Sequence, residues 1–310
     1  MIVFLSFLAG STRAEVPDTV QVGIYITSIH DIDFKQKEYT TTFWVWFRYK
    51  RREFNFLENI EIPQAKTFSK SFSTIDSSRG DYYVLMKIQG VMKDSWKTEN
   101  FPFDRQKLRF SIENSQFDNS SLVFMPDKSG KNYDPKFTLR GWAVDSCIKV
   151  VDTKIYETSF GDTQLEKPQS AYSAFKVRLA IHRNAGNLFW KLFLGMYVAW
   201  LIAFVCFFIH ADSIDSRFGL SVGALFAVIG NKYIVDSALP ETTTFTLVDI
   251  LHELTLLFIL LITSATAYSL KLNKNGLTAK ARRFDLVTAI TILLLYILAN
   301  WYFISGAISG

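Results

Sequence analysis

The chain has 310 residues, of which 49% are hydrophobic and 20% are charged, and its mean hydropathy is +0.14. This balance is too apolar for an ordinary soluble enzyme and too charged for a protein that lies wholly within a membrane. The formal net charge is +5, but the basic residues are interspersed with acidic ones and form no long run, which argues against nucleic-acid binding.

The charges are unevenly distributed along the chain. Residues 184–310 contain only 8 of the 34 Lys and Arg and 7 of the 29 Asp and Glu. The sequence therefore predicts a polar domain over residues 15–183 and a membrane domain over residues 184–310. Cys147 and Cys206 fall one in each part, so neither a disulfide framework nor a metal cluster is predicted. Residues 1–14 fit either the remnant of a secretory signal or the start of a first strand.

Short runs of alternating apolar residues, rich in Tyr, Phe, Trp, Val and Ile, fill the polar domain and are broken by Gly, Pro, Asn and Asp. No helix-length amphipathic segment interrupts them. The pattern predicts an antiparallel β-sandwich of the immunoglobulin-like kind. The clearest predicted strands are Val20–Ile29, Tyr39–Tyr49, Tyr82–Met92, Gln106–Ile112, Gly141–Val151 and Ala174–His182.

Four apolar segments follow, each long enough to cross a hydrocarbon layer about 30 Å thick. The linker between the third and fourth, Lys271–Phe284, contains five basic residues and no acid, which predicts that it is cytoplasmic. With four spans the sandwich is then extracellular, or periplasmic in a bacterium, and the chain is a multi-pass protein of the cell (inner) membrane. The predicted spans are about residues 188–209, 217–237, 246–270 and 284–304.

The second span is the least hydrophobic, and helical steps of three and four place its small, polar and aromatic residues on one stripe. Such a stripe either allows close packing between helices or faces water in a ring of identical helices. The intervening positions supply an apolar back, and Ala238-Leu239-Pro240 is predicted to end the helix. The stripe consists of Ser216, Gly219, Gly223, Phe226, Gly230, Tyr233 and Ser237, and the back of Leu220, Leu225, Val228, Ile229 and Val235.

Two residues of this region have a functional interpretation and an ordinary one. Asp215, just before the predicted helix, would form a ring of carboxylates that attracts cations if several subunits met here. Alternatively it is an N-cap. Phe226, midway along the stripe, would be a constriction in such a ring, and a packed core aromatic otherwise.

The third span carries three titratable residues in its outer part. Asp249, His252 and Glu253 stand at positions i, i+3 and i+4, close enough to influence one another's titration. In a protein that responds to pH they would be candidate proton sensors, a role that the family resemblance given below suggests. The alternative is that they lie at the level of the lipid headgroups and cap the span.

The segment Asn100-Phe101-Pro102-Phe103-Asp104-Arg105-Gln106 resembles the Phe-Pro-Phe-Asp-x-Gln loop of pentameric ligand-gated ion channels, the Cys-loop receptor family. A sandwich before four spans, Arg183 just before the first span and Leu239-Pro240 after the second agree with that family. The family cysteines that flank the loop are absent, with Asp94 near the first position and Leu108 at the second. The resemblance is greatest to the bacterial channels.

This resemblance implies a homopentamer in which the second span lines the pore. Its pore-facing positions fall on Gly219, Gly223, Phe226, Gly230 and Tyr233, with Phe226 and Tyr233 as the gate, and Asp215 matches an acidic ring that selects cations. The resemblance also implies a coupling cluster between the sandwich and the membrane domain. That cluster would contain Arg183, Asp104 and either Asp31 or Asp33; the alternative is a set of surface ions worth ~0–1 kcal/mol.

For the agonist, the family uses an aromatic box between neighbouring subunits, in which cation–π attraction holds amines. Ser115 stands where an aromatic residue would strengthen the box, so the agonist stays open between an amine, a carboxylate and protons. Each box position could equally be an aromatic at the edge of the sandwich. The matching residues are Trp44, Phe68, Glu113, Tyr156 and Tyr172, the last two bracketing the loop Glu157–Ala171.

Together these features predict a homopentameric, ligand- or pH-gated channel for monovalent cations, embedded in a lipid bilayer and without a cofactor. A membrane-anchored sensor that binds a ligand without conduction is the alternative. The polar second span favours the channel, because a simple anchor does not need it. The sequence contains none of the common nucleophile, metalloprotease or phosphate-loop motifs, and its four histidines are widely separated, so an enzyme is not predicted.

Overall fold

A computed structural model describes residues 16–161, 168–237, 239 and 244–309. The described chain forms a β-sandwich followed by four long helices, which confirms the predicted fold class. The segment 1–14, for which a signal or a first strand is predicted, lies outside the described residues. So do Pro240, predicted to end the second span, and residues 162–167 of the loop between Tyr156 and Tyr172.

Nine strands in the described ranges form the two sheets of the sandwich. The first sheet has the order β4-β5-β2-β1-β7 and the second the order β3-β6-β9-β8. All six strands named from the sequence are present. The strands are β1 Asp18–Asp33, β2 Glu38–Tyr49, β3 Ile60–Glu61, β4 Ala65–Asp76, β5 Tyr82–Lys93, β6 Arg105–Asn114, β7 Leu122–Pro126, β8 Trp142–Tyr156 and β9 Ser170–Arg183.

Alternation along the strands builds the core between the sheets. In β2, Phe43 and Phe47 are fully buried, whereas the intervening Trp44 points to the other face of the sheet. Phe43 stacks on Phe110 of the second sheet with ring centroids 5.0 Å apart. Burial of such side chains is worth about 25 cal/mol per Å² of apolar surface, so the alternating residues supply the main driving force for this domain.

Two features of the sandwich differ from the expected pattern. β7 pairs with β1 in parallel, so the sandwich is not antiparallel throughout. β4 is not among the strands named from the sequence. Because almost all of its residues are exposed, the strand lacks the alternation that marks a half-buried strand.

Four helices of the described chain are long and apolar enough to cross a membrane. α2 continues into a 3₁₀ turn over Val205–Phe208, and a further short helix, α1 Phe56–Asn59, lies in the sandwich domain. The four are α2 Gly186–Phe204, α3 Ile214–Asp236, α4 Leu247–Lys274 and α5 Thr278–Ser309.

The basic linker before the fourth span is shorter than predicted. Most of Lys271–Phe284 is helical, and only residues 275–277 separate α4 from α5. The limit of a span is set by hydrophobicity, whereas a helix continues into water as long as its residues allow it. Lys271 and Lys274 occupy the last turn of α4, where cations interact favourably with the helix dipole.

The Phe-Pro-Phe-Asp segment joins the sandwich to the helices. Phe101 is buried in the apolar core of the helical bundle, and the Phe103 ring lies 5.6 Å from that of Phe189 in α2. The backbone nitrogen of Leu247, at the start of α4, donates a hydrogen bond of 2.7 Å to the carbonyl of Glu99. This segment therefore contacts two of the four long helices directly.

Candidate functional site

α3 has two faces of different chemistry. All seven residues of the predicted stripe are exposed, with Phe226 at 66% and Tyr233 at 77%. A β-carbon built on Gly219, Gly223 or Gly230 meets no atom within 4 Å, so these glycines do not serve close packing inside this subunit. The interpretation of the stripe as a packing surface within one chain is therefore wrong.

The opposite face of α3 anchors the helix in its own subunit. Its buried residues recur at helical spacing and pack against α2 and α4. Ile229, predicted to belong to this apolar back, is instead 47% exposed, because it lies on the flank between the two faces. The buried residues are Arg217, Ser221, Ala224, Val228 and Val235.

The start of α3 corrects the assignment of Asp215. The helix begins at Ile214 with Ser213 at the N-cap position, so Asp215 lies in the first turn and is not the cap. Asp215 is exposed, and a carboxylate in the first turn interacts favourably with the helix dipole. Its position at this end of the exposed stripe leaves the carboxylate available to solvent.

At the other end of α3, an ion pair connects the helix to α4. Lys232 donates hydrogen bonds to Asp236 in its own helix and to Asp249 in α4. Asp249 also accepts hydrogen bonds from the backbone and hydroxyl of Thr246, at 2.9 and 2.8 Å, and so forms the capping box of α4. One carboxylate therefore both caps the start of α4 and contacts the C-terminal part of α3.

The other two candidate proton sensors have separate surroundings. The His252 ring is fully buried; its Nδ1 donates to the carbonyl of Val248 at 2.8 Å, and its Nε2 lies 2.9 Å from Asn231 Oδ1 in α3. Asp249 and His252 thus contact two adjacent residues of α3, Lys232 and Asn231, whereas Glu253 is exposed to the surroundings of the bundle.

Arg183, at the end of β9, occupies an aromatic cage at the junction. Its Nε donates to Asp104 at 2.7 Å and its Nη2 to the other carboxylate oxygen at 3.3 Å. The guanidinium also lies 4.1 Å from the Trp142 ring centroid and 4.9 Å from those of Phe34 and Phe101. This arrangement combines a bidentate ion pair with cation–π contacts to three segments of the chain.

The acids of the first hairpin loop do not join this pair in the described structure. Asp31 contacts His30 at 3.6 Å, and Asp33 accepts a hydrogen bond from the backbone of Gln36 at 2.8 Å. The loop contacts Arg183 through Phe34 instead. The expected acid of the coupling cluster is thus replaced by an aromatic ring, which attracts a cation without carrying a charge.

Three of the five predicted agonist residues lie together on the second sheet. The Tyr156 hydroxyl donates to Glu113 at 2.9 Å, and the rings of Tyr156 and Tyr172 meet edge to face at 5.8 Å. Phe160 completes an aromatic cluster, 5.5 Å from Tyr156. Glu61, directly across the β3–β6 ladder from Glu113, adds a second carboxylate. We call Glu113, Tyr156, Phe160 and Tyr172 the sensing cluster, after the role proposed for them in the next subsection.

Burial changes the acid–base properties of the sensing cluster. Glu113 is only 2% exposed, and desolvation raises the pKa of its carboxyl, although hydrogen bonds from Tyr156 and Ser111 act in the opposite direction. The pKa of Tyr156 is also raised, by burial and by its bond to Glu113. Because the folded-state pKa of Glu113 is raised, its protonated form favours the folded structure. Its contribution to stability is therefore greatest at low pH and is lost as the pH rises through the raised pKa.

Trp44 and Phe68 lie apart from this cluster, on the first sheet. The Trp44 ring is 5.6 Å from that of Phe72 and has the Lys87 ammonium 5.7 Å above it. Phe68 pairs with Gly90 from the edge strand β4 and is partly exposed. A single subunit does not bring the five predicted residues into one box.

A proton-gated ion channel of Gloeobacter violaceus is 22% identical to the chain over 309 residues, which covers 93% of this chain and 82% of the relative. No protein-family model matches the chain. The alignment spans the sandwich and all four helices. The chain is a distant homologue of this proton-gated channel. It is therefore a channel homologue with several apolar helices, and not an enzyme.

In this homologue, the segment that corresponds to the Cys-loop is closed by a charged contact and not by a disulfide. Cys147 and Cys206 are both free. Asp94 accepts a hydrogen bond from the backbone of Arg109 at 2.8 Å and receives the Arg109 guanidinium at 2.6 and 3.2 Å. A charge-assisted contact therefore joins the two ends of the loop near the positions where the family has its cysteines.

Several partners in this channel homologue were not predicted from the sequence. Phe34 and Trp142 are distant from Arg183 in the chain, and only the fold brings them together. The acidic partner of Lys232 could have been predicted, because a lysine in an apolar helix needs an anionic partner. Asp249, the acid near the start of the following span, was the available candidate.

Proposed function

We propose that five copies of this chain form a cation-selective channel whose pore is lined by α3 and which opens in response to an extracellular chemical signal. The observation that carries this proposal is the two-faced character of α3. A membrane-spanning helix that exposes glycines, serines, Phe226 and Tyr233 on one stripe, while the other face packs in the bundle, is suited to a water-filled axis.

Cation selectivity is assigned to Asp215. Five exposed carboxylates at one mouth would concentrate cations and repel anions. In voltage-clamp recordings under sodium and chloride gradients, we expect wild-type currents to reverse near the cation potential and Asp215→Asn to move the reversal potential towards that of chloride. Asp212→Asn, which removes an exposed carboxylate before the helix, is the matched control. An unchanged reversal potential in Asp215→Asn would contradict the assignment.

The gate is assigned to Phe226, with Tyr233 above it. A circle of apolar side chains, one from each subunit, can close a narrow pore because water leaves the constriction. A smaller side chain is therefore expected to keep the pore filled with water. Phe226→Ala should therefore conduct at rest. A variant as silent as wild type, with normal surface expression, argues against this gate.

We further propose that the sensing cluster, together with Trp44 of a neighbouring subunit, receives the stimulus. A proton or an ammonium ion can each neutralise Glu113, and the surrounding rings add cation–π attraction for an amine. A carboxylate agonist is disfavoured here by Glu113 and Glu61. The relative is proton-gated, which makes protons the first stimulus to test.

Recordings with external pH stepped from about 4 to 10, then with small primary amines, distinguish these stimuli. Glu113→Gln is expected to shift or remove the response to protons and to weaken any amine response. Tyr156→Phe, which keeps the ring but removes the hydroxyl, should shift the pH response less. Normal responses in Glu113→Gln would exclude the sensing cluster, whereas surface pentamers without any current would favour the non-conducting sensor.

A further inference from the structure

The cavity between the Phe-Pro-Phe-Asp segment, the start of α4 and the end of α5 is not used by the proposed pore or sensing cluster. It has a volume of about 470 Å³. Leu247, Ile250 and Ala307 form an apolar floor, whereas Glu99, Asn100 and the serines at 305 and 309 supply polar groups. The cavity thus offers one apolar and one polar surface to the same occupant.

The exposed aromatic residues of α5 indicate the depth of this cavity in the membrane. Trp301 and Tyr302 are 68% and 69% exposed at the end of the helix, and Tyr302 also lines the cavity. Tryptophan and tyrosine are enriched where the hydrocarbon meets the headgroups. α4 begins beside these residues, because Leu247 and Tyr302 line the same cavity. The cavity therefore opens at the height of the lipid headgroups.

Charge selects the kind of headgroup. Glu99 is the sole charged side chain among the described residues that line the cavity, and no lysine or arginine joins it. Anionic lipids bind in basic pockets, which this cavity does not provide. A primary ammonium can donate several charge-assisted hydrogen bonds to a carboxylate and to neighbouring oxygens, whereas a trimethylammonium group cannot.

We propose that this cavity binds the ethanolamine headgroup of a phosphatidylethanolamine molecule, with the ammonium at Glu99 and the upper acyl carbons along Leu247 and Ile250. The Tyr302 hydroxyl and the Asn100 amide are the donors proposed for the phosphate, since Ser305 and Ser309 donate to the carbonyls of Tyr302 and Ser305 within α5. Because this segment also carries Phe101 and Asp104, a bound lipid would contact the same loop that meets Arg183.

The test measures lipid binding to the delipidated full-length protein by native mass spectrometry, with short-chain phosphatidylethanolamine, phosphatidylcholine and phosphatidylglycerol. We expect phosphatidylethanolamine to bind about tenfold more tightly than the other two, as one charge-assisted hydrogen bond would give. Glu99→Gln should abolish this preference, and Glu53→Gln, which removes an exposed carboxylate elsewhere, should keep it.

A second variant tests the cavity itself. A β-carbon on Gly306 meets no atom within 4 Å, so Gly306→Phe would fill the space without disturbing the helix, and Gly306→Ala is its matched control. Loss of phosphatidylethanolamine binding in Gly306→Phe alone supports the site. Three results would overturn the proposal. They are equal binding of all three lipids, an unchanged preference for phosphatidylethanolamine in Glu99→Gln, and an affinity for free phosphoethanolamine equal to that for phosphatidylethanolamine.

Discussion

Two buried arginine–aspartate pairs hold opposite ends of the helical bundle, and their surroundings differ. Arg183 meets both oxygens of Asp104 and three aromatic rings at the sandwich junction. Arg217, near the start of α3, meets only one oxygen of Asp285, at 2.8 Å. There the Nη1 of Arg217 and the Oδ1 of Asp285 are buried without a hydrogen-bond partner. The Arg217 guanidinium also donates to the backbone carbonyl of Ile209, from Nε at 3.1 Å and from Nη2. The two pairs therefore differ in these two unpaired atoms, which have no counterpart in the Arg183–Asp104 pair.

The largest expected effect follows from breaking the less well-solvated pair. Arg217→Met leaves the Asp285 carboxylate buried and unpaired, which we expect to destabilise the protein by about 3–5 kcal/mol. The double variant Arg217→Met/Asp285→Leu should recover most of this loss, because no buried charge remains. Denaturant unfolding in mild detergent, at one protein concentration, measures both. A single variant as stable as wild type would show that water solvates the pair.

A smaller loss of stability is expected when Arg183 is replaced by a residue with the same charge but without the planar guanidinium. Arg183→Lys cannot form the bidentate pair or stack between the rings, so we expect a loss of about 2 kcal/mol in the same unfolding measurement. Arg178→Lys, on the same strand and exposed, is the control. Equal stability of the two variants would mean that charge alone matters at the junction.

The contribution of a single ring can be separated from that of the ion pair. Phe34→Leu keeps an apolar residue beside Arg183 but removes the cation–π contact, with an expected loss of about 1 kcal/mol. The response to the stimulus should also weaken, because Phe34 connects the first hairpin loop to Arg183. An unaltered dose–response curve would exclude Phe34 from coupling.

The smallest effect is expected at Asp31, one of the two hairpin-loop acids that the family resemblance offers for the coupling cluster. Asp31 has a positive φ of 53°, which asparagine also tolerates, so Asp31→Asn changes charge without changing the backbone. We expect a change below about 0.5 kcal/mol in unfolding and no change in the dose–response curve. A response that shifts as much as in Phe34→Leu would restore the ionic cluster implied by the resemblance.

Features that repeat along the chain were predictable from the sequence. Alternation marked the strands in the core, length and hydrophobicity marked the spans, and the 3.6-residue period separated Gly223 from Val228 on opposite faces of α3. β4 escaped prediction because its residues are almost all exposed, so that no alternation remains. The helical extension beyond the fourth span also escaped, since hydropathy marks the bilayer and not the ends of a helix.

Contacts between distant segments could be predicted only where a known motif supplied them. The Phe-Pro-Phe-Asp motif pointed to Asp104 and Arg183, whose contact is present. It gave no indication of Phe34 or Trp142, because cation–π partners have no fixed spacing in sequence. Phe160 was missed for the same reason. The roles of these residues in gating stay predictions that the recordings above would test.

The double use of Asp249 restricts how α3 can move relative to α4. Its carboxylate caps α4 and also receives Lys232 of α3, while Asn231 meets His252 one turn further along α4. A tilt of the C-terminal end of α3 that left α4 behind would have to break both connections between the helices. The C-terminal half of α3 and the N-terminal half of α4 are thus expected to move as one rigid unit, with bending of α3 concentrated before Gly230.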